Sequence, residues 1–124
     1  MKTIYSGIRM DDLDVGSIVM ADLSIGSHPA IVLSTKDEIE SRGIVLVVAI
    51  SSNTTLTLTE DLIEVPSKLG MTKKCYVQCG TAETLPVNKV SSKKRKAWGT
   101  FLERVVRQAK IAADRAKKGE SNGK

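Results

Sequence analysis

Gly43-Ile44-Val45-Leu46-Val47-Val48-Ala49-Ile50-Ser51-Ser52 is the stretch that decides how this chain folds. Seven consecutive apolar residues, most of them β-branched, stand between a glycine and a pair of serines. Seven residues make barely two helical turns but a full strand, and branching at Cβ favours a pleated surface. No position in the run is polar, so neither face is suited to water. That describes the central strand of a sheet covered on both sides.

Upstream, residues 36–42 are charged and polar and read as a loop, with Glu38 and Glu40 as solvated carboxylates and not an acid/base pair. Before them, His28-Pro29-Ala30-Ile31-Val32-Leu33-Ser34 reads as a strand whose proline sits at the entry, where a missing N–H does least harm. Ser24-Ile25-Gly26-Ser27 is a turn cluster, and Gly16-Ser17-Ile18-Val19-Met20-Ala21-Asp22-Leu23 is the strand before it. Residues 1–14 show little periodicity and read as an N-terminal arm.

Downstream, Leu56, Leu58, Leu62 and Val65 suggest another extended stretch, interrupted by Glu60 and Asp61. Cys75-Tyr76-Val77-Gln78-Cys79 is a strand ended by Gly80, and Pro86-Val87-Asn88-Lys89-Val90 is a short edge or connection. Strands spaced this closely, with turn residues between them, form a small barrel and not alternating β/α units. The end differs. Thr100-x-x-Glu103 is a capping-box pattern, and Phe101, Leu102, Val105, Val106, Ala109, Ala112 and Ala113 recur at helical spacing. The expectation is one mainly β domain over residues 15–118, closed by an amphipathic helix over about 101–117, with a disordered tail at 119–124.

Composition narrows the function. The chain has 124 residues, 41% apolar and only 3% aromatic, so aliphatic side chains do most of the packing and an aromatic base-stacking platform is not available. No run of 18 apolar residues exists, and acidic Asp11, Asp12 and Asp14 follow a start without an apolar core. The expectation is a cytoplasmic protein with no membrane partner. Cys75 and Cys79 would lie roughly 13 Å apart on one strand, too far for a disulfide. With His28 as the lone histidine, a metal site is not expected. Residues 1–88 carry 7 Lys+Arg against 11 Asp+Glu, and residues 89–124 carry 12 against 3. A basic C-terminal third on an acidic body attracts a phosphate backbone or an acidic protein segment.

The segments Gly16–Leu23 and His28–Ser34, the strand end Val47-Val48-Ala49-Ile50-Ser51-Ser52, Gln78-Cys79-Gly80-Thr81 and Gly99-Thr100 together resemble the PemK/MazF-like toxin family. These are small endoribonucleases of toxin–antitoxin systems. The first segment is similar to the family's opening strand. The second is similar to its Arg-Pro-Ala-hydrophobic-Leu-Ser motif, the third to its Ile-Thr-Ser strand end, and the fourth to a Gln-Ile-Arg-Thr segment. The resemblance implies a small SH3-like, MazF/CcdB-type antiparallel barrel, a homodimer, an antitoxin partner, and cleavage of single-stranded RNA with no cofactor. In that chemistry a 2′-hydroxyl attacks the neighbouring phosphorus. A base takes its proton, a donor steadies the phosphorane oxygens, and an acid protonates the departing 5′-oxygen.

Two family arginines are absent: His28 stands before Pro-Ala, and Gly80 before Thr81. Each lost donor is worth roughly 3 kcal/mol of transition-state stabilisation. The loop between Asp22 and His28 is also short for gripping a substrate. An imidazole can act as base or acid at cellular pH, so His28 can compensate, with Ser51 matching the family threonine and Ser52 beside it. The candidate catalytic set is therefore His28, Ser51 and Ser52. The candidate RNA contacts are Lys73, Lys74, Gln78, Thr81, Lys93, Lys94, Arg95 and Trp98. Each has a plainer reading: His28 as a strand-edge residue with a structural hydrogen bond, the serines as strand-end caps, the basic run as a solvated loop, and Trp98 as core filler. Two further readings of the whole stay open. One is an inert barrel of this type that binds nucleic acid or protein. The other is a gyrase poison on a related barrel.

Overall fold

The computed structural model describes residues 4–5, 8–9, 13–52, 59–67 and 74–122, with side chains for all of these but 4, 5, 8, 9, 92–94 and 119–122. Two short strands, β1 (Ile4–Tyr5) and β2 (Ile8–Arg9), pair with each other. The main sheet is built from β3 (Ser17–Leu23), β4 (Gly26–Val32), β5 (Ile44–Ser51), β6 (Leu62–Glu64), β7 (Tyr76–Gln78), β8 (Glu83–Pro86) and β9 (Val90–Lys96). Its order is β6-β7-β5-β4-β3-β9, with β8 also on β5, and every described pairing is antiparallel. Helix α1 (Lys36–Arg42) joins β4 to β5, and α2 (Gly99–Asn122) follows β9. This is the mainly β, curled antiparallel sheet with a C-terminal helix that the sequence led us to expect.

The apolar run at 44–50 is indeed central. β5 pairs with β4 on one edge and with β7 and β8 on the other. Its odd positions Val45 and Val47 join one core cluster with Val19, Ala21, Ala30, Val32 and Ile39. Its even positions Val48 and Ile50 join another with Ile18, Ile31, Val77, Val105 and Ala109. The sheet therefore separates two cores, and α2 covers the second. Helix α2 reaches it through Val105 and Ala109, and Ala112, also buried, continues the same helical stripe.

Several expectations change. Residues 36–42 form α1 and not a loop. Thr35 is its N-cap, its side chain accepting from Glu38 N while the Glu38 carboxylate accepts from Thr35 N at 2.8 Å. That is a full capping box, and these hydrogen bonds hold the Glu38 carboxyl below its ordinary range. The arm at 1–14 is not detached at its end, because Leu13 is wholly buried in the first core. Asp14 accepts from Val15 N at 2.8 Å and Lys36 N at 2.9 Å, and these donors lower its pKa against the opposing pull of burial. The extended stretch read from Leu62 and Val65 narrows to β6, and a 3₁₀ turn at Thr59–Asp61 precedes it; Leu56 and Leu58 lie outside the described residues.

Asp61 explains why a carboxylate interrupts that alternation. It is 1% exposed, it accepts from Gln108 Nε2 at 2.8 Å, and it pairs with Arg115, so it ties α2 to the turn. Arg115 also reaches Glu60 at 3.4 Å. Helix α2 is longer than expected, beginning at Gly99 and continuing through Asn122, so residues 119–122 are helical; residues 123–124 lie outside the described residues. Because the helix starts at Gly99, Thr100 already stands inside its first turn and Glu103 beyond it, so Thr100 is not the N-cap that the pattern predicts. The basic run belongs to edge strand β9, where charged side chains discourage pairing with another chain.

Both cysteines are free. Cys79 is 1% exposed, and burial, aided by the Asp61 charge, pushes its thiol up to about 12. Cys75 is only half-buried. At pH 8 a thiol raised from 9.0 to about 12 carries roughly a thousandfold less thiolate. Iodoacetamide is therefore expected to label Cys75 in the folded protein and leave Cys79 untouched, as read by peptide mass mapping. Equal labelling of the two would show that the second core opens readily.

Candidate functional site

His28 lies on β4, opposite Ala21 of β3. The β4–β5 ladder is paired from Val32↔Val47 to Ala30↔Ala49. His28 is two residues beyond that last rung on β4, and Ser51 is two residues beyond it on β5. The same register carries each to the same end of its strand. Alternation puts both on the face of Ala30 and Ala49, the side of the first core and not the side covered by α2. Pro29 has no N–H to offer the ladder there, which suits a rung that is not paired.

On the other edge of β5, Ser51 pairs with Tyr76, and Tyr76 with Glu64 of β6. Gln78 stands two residues along β7, so it shares this face one rung back, opposite Leu62. It is 0% exposed. The sequence reading placed Gln78 among the RNA contacts; burial takes its side chain out of a ligand's reach. Its Nε2 instead donates to the carbonyls of Ser51 and Tyr76, at 3.4 Å each. Two side-chain atoms in this patch are buried without a hydrogen-bond partner: Nδ1 of His28 and Oε1 of Gln78. The expected structural hydrogen bond to His28 is thus absent at Nδ1.

The remaining candidates scatter. Ser52 is exposed just past β5. Thr81 closes the turn after β7, its hydroxyl donating to Gln78 O at 3.2 Å. Lys74 lies just before β7 and pairs with Glu64 at 3.7 Å, which brings one ammonium to the Ser51–Tyr76–Glu64 row. Lys73 lies outside the described residues, as do the side chains of Lys93 and Lys94. Arg95 pairs with Ile18 and so belongs to the α2 side, three residues along β3 from Ala21, the partner of His28. Trp98, between β9 and α2, is 56% exposed and is not core filler. The basic run therefore does not adjoin His28; β3 and a stretch of about 10 Å along it intervene.

The hairpin before His28 turns on only Ser24 and Ile25. Glu83 of β8 holds it: its carboxylate accepts from Ser24 Oγ at 2.8 Å and from Ser24 N at 3.1 Å. No sequence cue linked these two residues, since the contact spans 59 positions. A separate cleft of about 230 Å³ lies at the other end of β5, lined by Leu33, Glu38, Arg42, Ile44 and Leu46 among others. Among the described residues, no three His, Cys, Asp or Glu side chains gather as metal ligands, and no helix is long and apolar enough to cross a membrane.

Solved structures with the same architecture decide the fold. MazF from Deinococcus radiodurans superposes with a TM-score of 0.70 over 82% of this chain and 96% of its own, at 17% identity. This chain has a MazF-type fold. The Mycobacterium tuberculosis toxin MazF-mt6 matches with a TM-score of 0.61 over 79% of this chain and 96% of that one, at 21% identity. A mycobacterial endoribonuclease solved with its cognate antitoxin matches at 0.64, over 82% and 93%, with 15% identity. No family model matches the sequence, and no curated protein does either. The MazF-type likeness thus lies in strand order and helix placement, with few shared residues.

Proposed function

We infer that this chain is the toxin of a toxin–antitoxin pair and cleaves single-stranded RNA without a metal. The observation that carries the reading is the placement of His28 and Ser51 at one end of neighbouring strands, on one face of a MazF-type sheet. His28 takes the proton of a 2′-hydroxyl. The new 2′-O–P bond forms as the P–O5′ bond breaks, and the 5′-oxygen leaves with a proton taken from water. The hydroxyl of Ser51 or Ser52 steadies the phosphorane oxygens, and Lys74 supplies positive charge beside them. An antitoxin partner is supported by the same likeness, since D. radiodurans MazF has been solved with MazE, and a homodimer is the further expectation of the family resemblance.

The second reading, an inert module of this fold, is favoured by Gly80, an exposed turn residue with no side chain to hold a phosphate where the family has an arginine. One assay separates the two. Purified protein is incubated with a long unstructured RNA in EDTA. The toxin reading expects fragments ending in 2′,3′-cyclic phosphate. Intact RNA that binds and is released by salt supports the module.

A further inference from the structure

The geometry points to Gln78 as a positioning residue that fixes which nitrogen of His28 carries the proton; this rests on the nuclease reading of the same patch. Buried polar atoms without partners are rare, and here two complementary ones share a sheet face. Oε1 of an amide can only accept, while Nδ1 of an imidazole can donate. The strands between them help. β4 and β7 flank β5, and the β5 positions between His28 and Gln78 are Ala49 and Ser51, both small. Little bulk therefore stands between the two longer side chains.

The amide orientation is not arbitrary. Its Nε2 faces the carbonyls of Ser51 and Tyr76, so a flipped amide would set oxygen against oxygen twice. Those contacts also lean Gln78 from its own rung toward the Ser51 rung, the one that register gives to His28. Held this way, Oε1 accepts the Nδ1 proton of His28 through one bridging water, since neither atom has a partner within the protein. The other ring nitrogen, Nε2, is then left unprotonated and able to act as the base. The job is like that of the acceptor that orients a metal-bound histidine, whose loss costs about 10–100-fold.

The test uses the fact that His28 is the chain's one histidine, so an imidazole ¹H–¹⁵N long-range correlation spectrum contains a single ring. In the wild type above the ring's titration, the proton is expected on Nδ1. Gln78→Leu removes the acceptor and should move the proton to Nε2, with kcat for RNA cleavage at least tenfold lower and KM little changed. Gln78→Glu loses the amide's donor contacts but keeps an acceptor, so it should keep Nδ1 protonated. A wild-type proton on Nε2, or a Gln78→Glu ring that loses its Nδ1 proton, overturns the assignment even if Gln78→Leu fails to fold. An unchanged ring in folded Gln78→Leu does the same. An Nδ1 proton with no RNA cleavage leaves the positioning intact and removes the nuclease.

Discussion

His28→Ala is expected to lower the single-turnover rate of RNA cleavage by at least 100-fold while the fold survives. General acid–base transfer by a placed side chain contributes about 10²–10⁴-fold, and His28 is the one histidine available for it. Stability should hardly change. His28 is half-buried, its Nδ1 makes no hydrogen bond to another protein group, and it stands outside the paired β4–β5 rungs. Removing a buried polar atom without a partner relieves a desolvation cost of roughly 1–3 kcal/mol, which offsets the lost packing of the ring. Thermal unfolding of the variant within a few degrees of wild type, together with the rate loss, separates chemistry from folding. Cleavage at the wild-type rate in a folded variant removes His28 from the mechanism.

The parts of this architecture that could be read from residues are those set by local pattern. Seven apolar residues at 44–50 specify a central strand because both of its faces must be covered. The stripe through Val105, Ala109 and Ala112 specifies one buried side of a helix. Helix α1 was legible too, since Thr35 and Glu38 stand at capping-box spacing, but its charged surface outweighed that signal. The same pattern at Thr100 and Glu103 misled, because the chain turns earlier, at Gly99, whose φ is 65°. Spacing alone does not tell a cap from a first turn.

The candidate site was legible only in part. Strand ends can be read from sequence, and with them His28 and Ser51. Register cannot, and register is what brings Gln78, Tyr76 and Glu64 to the same patch. The basic run drew attention by its charge, yet β9 carries Arg95 to the α2 side. Charge density along a chain says little about which face of a sheet the charge will occupy. Asp61 makes the complementary point. A carboxylate in an apolar stretch looked like an interruption, and its partners Gln108 and Arg115 lie 47 and 54 positions away in sequence.

Gly16→Ala should be among the most destabilising single-methyl changes in the chain, costing about 3 kcal/mol. Gly16 enters β3 with φ 93°, a left-handed conformation that costs an L-residue roughly 1–2 kcal/mol. A Cβ there would sit 2.8 Å from Ala97 O and 2.9 Å from Leu102 Cδ2. Leu102 Cδ2 is the end of a side chain that can turn, but the Ala97 carbonyl cannot yield easily. Gly16 N donates to Val32 O and Ala97 N donates to Gly16 O, both at 2.8 Å, so the three backbones are tied at this point. Ala97 is wholly buried between β9 and α2. Relieving the overlap therefore means moving the start of α2 off the second core, and overpacking of this kind costs about 1–3 kcal/mol. Gly43→Ala is the control, with φ 69° but nothing within 4 Å of its added methyl, so it carries the backbone cost alone. In thermal unfolding, Gly16→Ala is expected to lower Tm by about 10–15 °C and Gly43→Ala by roughly a third of that. Equal shifts in the two variants would mean that the junction of β3, β9 and α2 has slack the packing does not suggest. The hold of α2 on the sheet would then depend chiefly on the Asp61–Arg115 tie.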